Sequence, residues 1–343
     1  MKRDLSVEDF LGNPNALIID VRTPAEYALG HIRGAYNMPI FENDERAEVG
    51  TIYKKISRNR AVERGLEIVG GKLARFVREA REVAQGRDIY LYCWRGGMRS
   101  GSMQWLLSTA GLKVSLLKGG YKRFRSDFES QLDKPWKFMT LGGRTGCGKS
   151  DILREIEAQG EQMLDLEALA NHKGSAFGGM GLGEQPTTEE FINRIHYKLR
   201  SFDPSRVIWC EGESILIGHV YIPERLFKML GSSPSINFDL DLECRIERLV
   251  AEYGGFEMED LSTAFLRIRK RLGNDNLKLA QEALKVGDVA TAARIALIYY
   301  DKSYAHSGGR REGERLEPIF SERDDPRQSA QRLIEIYYSH FKK

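Results

Sequence analysis

The ten residues LYCWRGGMRS, 91–100, place one cysteine at the end of an apolar run and follow it with two glycines, two arginines and a serine. A cysteine kept for packing needs neither positive charge nor small neighbours, so these surroundings point to a sulfur that reacts. The thiolate is the nucleophilic form, and nearby cations or backbone N–H groups favour it. Gly96 and Gly97 allow the chain after Cys93 to curl so that successive N–H groups form an anion-binding nest. A helix beginning near Ser100 adds its positive end. Arg99 supplies a planar fork matched to an oxyanion, and Arg95 a second. The loop suits a thiolate or a bound phosphate-like group, and its Cys-x5-Arg spacing also fits a phosphatase in which the thiolate attacks phosphorus.

A second cluster, LGGRTGCGKS at 141–150, follows a strand-like run and precedes a helical one. Gly143, Gly148, Lys149 and Ser150 have the G-x4-G-K-S spacing of a phosphate-binding loop. The backbone of Gly143, Arg144, Thr145, Gly146 and Gly148 can close around a diphosphate, Lys149 neutralises it, and the Ser150 hydroxyl can reach Mg²⁺. Such a metal needs an acid at the carboxyl edge of the sheet. Glu211, directly after the apolar run RVIWC, is the first choice; Glu213, Asp165 and Glu167 are the others nearby. Cys147, inside the loop, is a variable loop position rather than a second nucleophile. The motif specifies a diphosphate without naming a reaction.

The elements that must position these loops alternate short apolar runs with helical periodicity, the pattern of parallel sheets covered by helices. ALIID (16–20), DIYLYC (88–93) and KVSLLKGG read as strands of a first α/β domain, residues 1–134. The proline in SQLDKPWKF marks the boundary. A second α/β domain, 135–343, starts with strand 136–142 and continues through QMLDLE, RVIWCEGE and PSINFDLD. From about 241 strand signals fade, which predicts a helical C-terminal appendage over 241–343.

The segment IIDVRTPAEYALGHIRGAYNMP, 18–39, together with YCWRGGMRS, resembles the rhodanese domain over nearly all of residues 5–125. That resemblance implies a persulfide-type chemistry at Cys93 and structural roles for Asp20-Val21-Arg22 and the GHIRG segment, including His31. Rhodaneses usually carry the arginine five residues after the cysteine; Arg99 lies six after Cys93, the longer loop of Cdc25-like phosphatases. Tyr92 stands where a tyrosine-phosphatase signature has histidine. Farther on, DLEALANHKGSAFGG (165–179) and EGESILIGHVYIP (211–223) resemble the second-domain signatures of the tRNA 2-selenouridine synthase family, and the likeness covers essentially the full length. It implies a second-domain pocket formed by Asp165, Asn171, His172, Lys173, Ser175, Glu211 and Glu213. It further implies geranylation of a wobble 2-thiouridine from geranyl diphosphate, then replacement of the S-geranyl group by selenium from selenophosphate, with no requirement for ATP.

Composition sets the remaining bounds. At 343 residues the chain exceeds one ordinary core. No run approaches a membrane span and the N-terminal residues lack a signal-peptide core, so a cytoplasmic protein without membrane contact is expected. The net charge is only +3, yet basic residues cluster, and Lys122, Arg123, Arg267, Arg269, Arg310 and Arg311 are the candidate contacts to tRNA phosphates. The four cysteines lack metal-ligand spacing, and Cys210 and Cys244 read as packing residues. Two other functions remain open from the residues: an ATP-dependent tRNA sulfur transferase, and a non-catalytic tRNA-binding module switched by nucleotide.

Overall fold

A computed structural model describes residues 4–212, 214–307 and 312–341. The chain divides between Asp133 and Lys134 into two compact units, each built on its own five-stranded parallel sheet.

Unit one runs β1 (Asp4–Leu5), α1 (Val7–Leu11), β2 (Leu17–Asp20), α2 (Pro24–Leu29), β3 (Tyr36–Asn37), α3 (Asn43–Lys55), α4 (Arg58–Gly70), α5 (Leu73–Ala84), β4 (Ile89–Tyr92), α6 (Met98–Thr109), β5 (Val114–Leu117) and α7 (Gly120–Gln131). The sheet order is β1-β5-β4-β2-β3, which makes β4 central. β2 and β4 are almost wholly apolar because helices cover both faces of a parallel sheet. α5 buries Phe76, Ala80 and Ala84, one face of a helix at four-residue spacing. The basic stretch KKISRNRAVERG, 54–65, falls on the end of α3 and on α4 as a solvated face, with Arg60 paired to Glu63 and Arg64 to Glu48 and Glu67.

One charged pair lies inside this apolar core. The fully buried Arg22 guanidinium donates to both oxygens of the equally buried Asp20 and to the Gly30 carbonyl. It also lies 3.9 Å from the ring centroid of Tyr121. Burial alone would pull the guanidinium down, but hydrogen bonding and charge from Asp20 outweigh it and hold Arg22 above its ordinary value. Asn37 donates to the carbonyls of Asp20 and Arg22, and the Tyr92 hydroxyl accepts from the Ile32 amide. The segments flanking the cysteine loop are thus tied together by hydrogen bonds among buried polar groups. His31 stacks on Tyr27 and its Nδ1 lies 3.1 Å from the Tyr27 carbonyl.

Unit two runs β6 (Lys137–Gly142), α8 (Lys149–Ala158), β7 (Gln162–Leu164), α9 (Leu166–Ala170), α10 (Thr188–Arg200), β8 (Val207–Glu211), β9 (Leu216–Ile217), β10 (Val220–Tyr221), α11 (Glu224–Ser232), β11 (Ser235–Leu240), α12 (Leu242–Tyr253), α13 (Met258–Leu272), α14 (Asn274–Lys285), α15 (Val289–Ser307), β12 (Ile319–Ser321) and α16 (Pro326–Phe341). The order β12-β11-β6-β8-β7 puts the strand before the phosphate loop in the middle. β9 and β10 form a small antiparallel hairpin that the sequence pattern does not announce.

The C-terminal region is helical, with one correction to the expected appendage: β12 pairs in parallel with β11 and completes the sheet. α16 then contributes Ala330 and Leu333 to the core around Trp209. A three-residue strand between helices carries too short an apolar run to be seen in sequence. α13, α14 and α15 form a second core of their own, into which Phe177 inserts. Among the described residues no helix is long and apolar enough to cross a membrane.

Replacing Arg22 with Met leaves Asp20 buried without its cation. The expected cost to unit one is about 3–5 kcal/mol, measured by urea unfolding of the variant and the parent.

Candidate active sites in the two units

In unit one Cys93 follows the last residue of β4 and the loop leads into α6. Its side chain is buried, with Sγ 3.1 Å from Ser100 Oγ. The loop is held from behind by the turn after β5. The Tyr121 amide donates to the Cys93 carbonyl and the Lys122 amide to the Trp94 carbonyl, both at 2.9 Å. This approach is possible because Gly120 has no Cβ: an added one would fall inside contact distance of the Cys93 carbonyl oxygen and the Gly96 nitrogen. Gly120 also has φ +63°, in the left-handed region. Gly119-Gly120 was not singled out from the sequence as part of the site; a glycine pair directly after a strand is the signal that could have found it.

Arg99 departs from its expected task. Its fork holds Glu26, with Nη1 2.6 Å from Oε2 and Nη2 3.1 Å from Oε1. Glu26 is pinned for this because it closes the capping box of α2, exchanging hydrogen bonds with Thr23. Burial would raise the Glu26 carboxyl, but the hydrogen bonds and charge of Arg99 outweigh it and hold it below the usual carboxylate range. What the loop presents to an anion is therefore the amino end of α6 and its backbone, with Arg95 exposed beside it.

In unit two the phosphate loop joins β6 to α8. Gly143 passes so close to the Phe238 carbonyl that no side chain fits. Lys149 Nζ lies 3.1 Å from the Gly143 carbonyl and 3.4 Å from that of Arg144, folded over the loop. Ser150 Oγ donates to Glu211 Oε1 at 2.7 Å, and Glu167 Oε2 lies 3.5 Å away. Two carboxylates and a hydroxyl converge there, a hard oxygen set that suits Mg²⁺ with water and phosphate completing its shell. Asp165 is not part of this set. It caps α9, accepting from the Ala168 amide.

α12 braces the loop from outside. Buried Arg245 donates to the Thr145 carbonyl and forks onto Asp301 at 2.5 and 3.0 Å, while Arg248 bridges Asp151 and Asp324. Arg144 itself pairs with Asp239. Cys147 turns into the core, where burial raises its thiol. Cys210 is likewise buried and Cys244 half-buried.

The other sequence candidates disperse into supporting work. Asn171 ends α9 in the left-handed conformation and donates to the carbonyls of Gly183 and Glu184. His172 Nδ1 accepts from the Gly174 amide, and burial together with His219 and Arg267 lowers its imidazole. Lys173 pairs with Glu252. Ser175 Oγ accepts from the Phe177 amide and lines an apolar cavity. Glu213, Arg310 and Arg311 lie outside the described residues. Lys122, Arg123, Arg267 and Arg269 are exposed; Arg267 donates to the Ala176 carbonyl and Arg269 to Asn274.

A cysteine loop set between a parallel strand and a helix, and a glycine loop whose lysine and serine open the next helix, define a rhodanese-like unit and a P-loop unit. Residues 5–127 match the model of the rhodanese-like domain, and residues 136–325 match that of the tRNA 2-selenouridine synthase AAA domain. The tRNA 2-selenouridine synthase of Marinobacter nauticus is 33% identical over 336 residues, covering 87% of this chain and 90% of that relative. The one from Sulfurovum sp. is 35% identical over 325 residues, covering 84% and 88%. A solved N-terminal domain from Clostridium difficile 630 is 43% identical over 36% of this chain and 97% of its own, with a TM-score of 0.35. The chain belongs to the tRNA 2-selenouridine synthase family.

Two outcomes are expected from the first loop. Gly120→Ala should alter the rate at which iodoacetamide alkylates Cys93. Gly86→Ala, also at positive φ but with open space around it, should cost about 1–2 kcal/mol and leave alkylation unchanged. The Glu26–Arg99 pair should stabilise unit one above the ordinary glutamate value near pH 4.3, and lose that contribution as pH falls through the lower folded value. Urea midpoints measured from pH 6 to about 3 should therefore fall less steeply in Glu26→Gln.

Proposed function

We propose that this protein is an enzyme that converts a wobble 2-thiouridine of tRNA to 2-selenouridine in two steps, geranylation and then selenation. The observation that carries the reading is that both anion-binding loops, each with its chemistry-bearing side chains, occur in one chain of this family.

In the first step the phosphate loop holds the diphosphate of geranyl diphosphate. The thiocarbonyl sulfur attacks C1, the C–O bond breaks, diphosphate leaves with the electron pair, and the uridine N3 proton is released. Lys149 and the loop amides stabilise the charge that builds on the departing group. Ser150, Glu211 and Glu167 are the residues that would hold Mg²⁺, which would supply further positive charge to the diphosphate.

Alkylation makes the ring carbon electrophilic and turns the sulfur into a neutral thiol leaving group. In the second step selenophosphate is held at the Cys93 loop by the amino end of α6. Selenium attacks C2, geranyl thiol departs, and water takes the phosphoryl group as phosphate. Selenophosphate already carries selenium at the selenide level this displacement needs; a perselenide on Cys93 would add one oxidation and one reduction. Cys93 acts at this step and not at the first. tRNA is held through its phosphates, with Lys122, Arg123, Arg267 and Arg269 as contacts and salt-sensitive affinity.

Mass spectrometry of nucleosides from tRNA incubated with protein, geranyl diphosphate and selenophosphate tests both steps. Cys93→Ser is expected to accumulate S-geranyl-tRNA without 2-selenouridine; retained selenation would remove Cys93 from the reaction. Lys149→Ala is expected to lose geranylation, and transfer at the parental rate would overturn the phosphate-loop assignment.

A further inference from the structure

An apolar slot runs through the helical part of unit two, beside the phosphate loop. Its walls are carbon-rich, contributed by Phe177, Leu261, Phe265 and Leu284 and by Ala292 and Ala296 of α15. Protein interiors are normally close-packed with few voids. Here the small residues along α15 leave the space open between helices that otherwise form a continuous core.

Three observations say what would fill it. Thr145 belongs to the phosphate loop and also lines the slot, so one ligand can reach both. The end of α15 near Tyr300 is the end next to the loop, because Asp301 accepts from Arg245, which itself holds the Thr145 carbonyl. The slot therefore leads away from the diphosphate site along α15. Tyr300 already accepts from the Ala176 amide and Ser175 from the Phe177 amide. Burial pushes the Tyr300 phenol up to about 12, so it stays neutral. A nucleobase needs hydrogen-bond partners along its edge, and this carbon-rich lining offers few; a hydrocarbon chain needs none.

We infer that this slot receives the hydrocarbon tail of the allylic diphosphate, and that Ala292 and Phe265 set the width of tail it admits. The inference rests on the reading that the phosphate loop binds an allylic diphosphate. Along α15 the lining runs from Tyr300 to Val289, a rise of about 16–17 Å. The eight-carbon main chain of a C10 isoprenoid and the twelve-carbon main chain of a C15 isoprenoid are both shorter than this.

The test compares dimethylallyl, geranyl and farnesyl diphosphates as donors to 2-thiouridine tRNA, with inhibition by inorganic pyrophosphate as a measure of the phosphate site alone. Ala292→Phe narrows the slot part-way along α15 and is expected to lower kcat/KM for the C10 donor by about tenfold or more, chiefly through KM. Pyrophosphate inhibition and the melting temperature should stay at parental values. Phe265→Leu widens the slot and should raise transfer from the C15 donor relative to C10. If Ala292→Phe does not fold, Ala296→Val reports on the same ratio. Geranyl transfer by the parent that a folded filling variant leaves unchanged would overturn the slot assignment alone. Absence of geranyl transfer by the parent would overturn the donor assignment and the slot with it.

Discussion

Backbone brought against backbone, with no room for a side chain between, is the constraint on which both candidate loops depend. Gly120 lies against the carbonyl of Cys93, and Gly143 against the carbonyl of Phe238. Each contact fixes the curvature of its loop without calling on a side chain. The loops are therefore set by elements that follow them in the chain: the turn after β5 in unit one and the strand β11 in unit two. A loop supported in this way is preorganised, which is what gives fixed dipoles their leverage on developing charge.

Charge performs the complementary task of holding the supports. In unit one the buried Asp20–Arg22 pair joins the end of β2 to the Gly30 carbonyl and the Tyr121 ring. In unit two Arg245 and Arg248 project from α12 and clasp the phosphate loop and the first turn of α8. Arg22 and Arg245 each stand where a planar fork meets a carboxylate and a carbonyl together. Such groups, once buried, tolerate no partial removal. They confer rigidity on the segments that flank the reactive loops.

The sequence made the local parts visible and left the assembled parts hidden. Cys93, Lys149 and Ser150 could be placed at strand–helix junctions because the whole signal lies within ten residues. Glu211 could be named because it ends an uninterrupted apolar strand, and it lies beside Ser150 in space. Glu26 was invisible as the partner of Arg99 because 73 residues separate them. Asp165 could not be told apart from the metal-acid candidates in sequence because a helix cap and a metal acid share the same residue type and the same position after a strand. The apolar slot is drawn from four helices and two loops, and no periodicity in any one of them distinguishes a lining residue from an ordinary core residue.

The pairing of β12 with β11 carries a consequence for biogenesis. Unit one has all its strands once residue 117 has been synthesised, whereas the nucleotide-fold sheet of unit two keeps an open flank until residues 319–321 leave the ribosome. Until then Phe238 and Leu240 sit on an uncovered border, the kind of surface that recruits other nascent chains. The sheet of unit two is thus completed last, after every strand of unit one has been made.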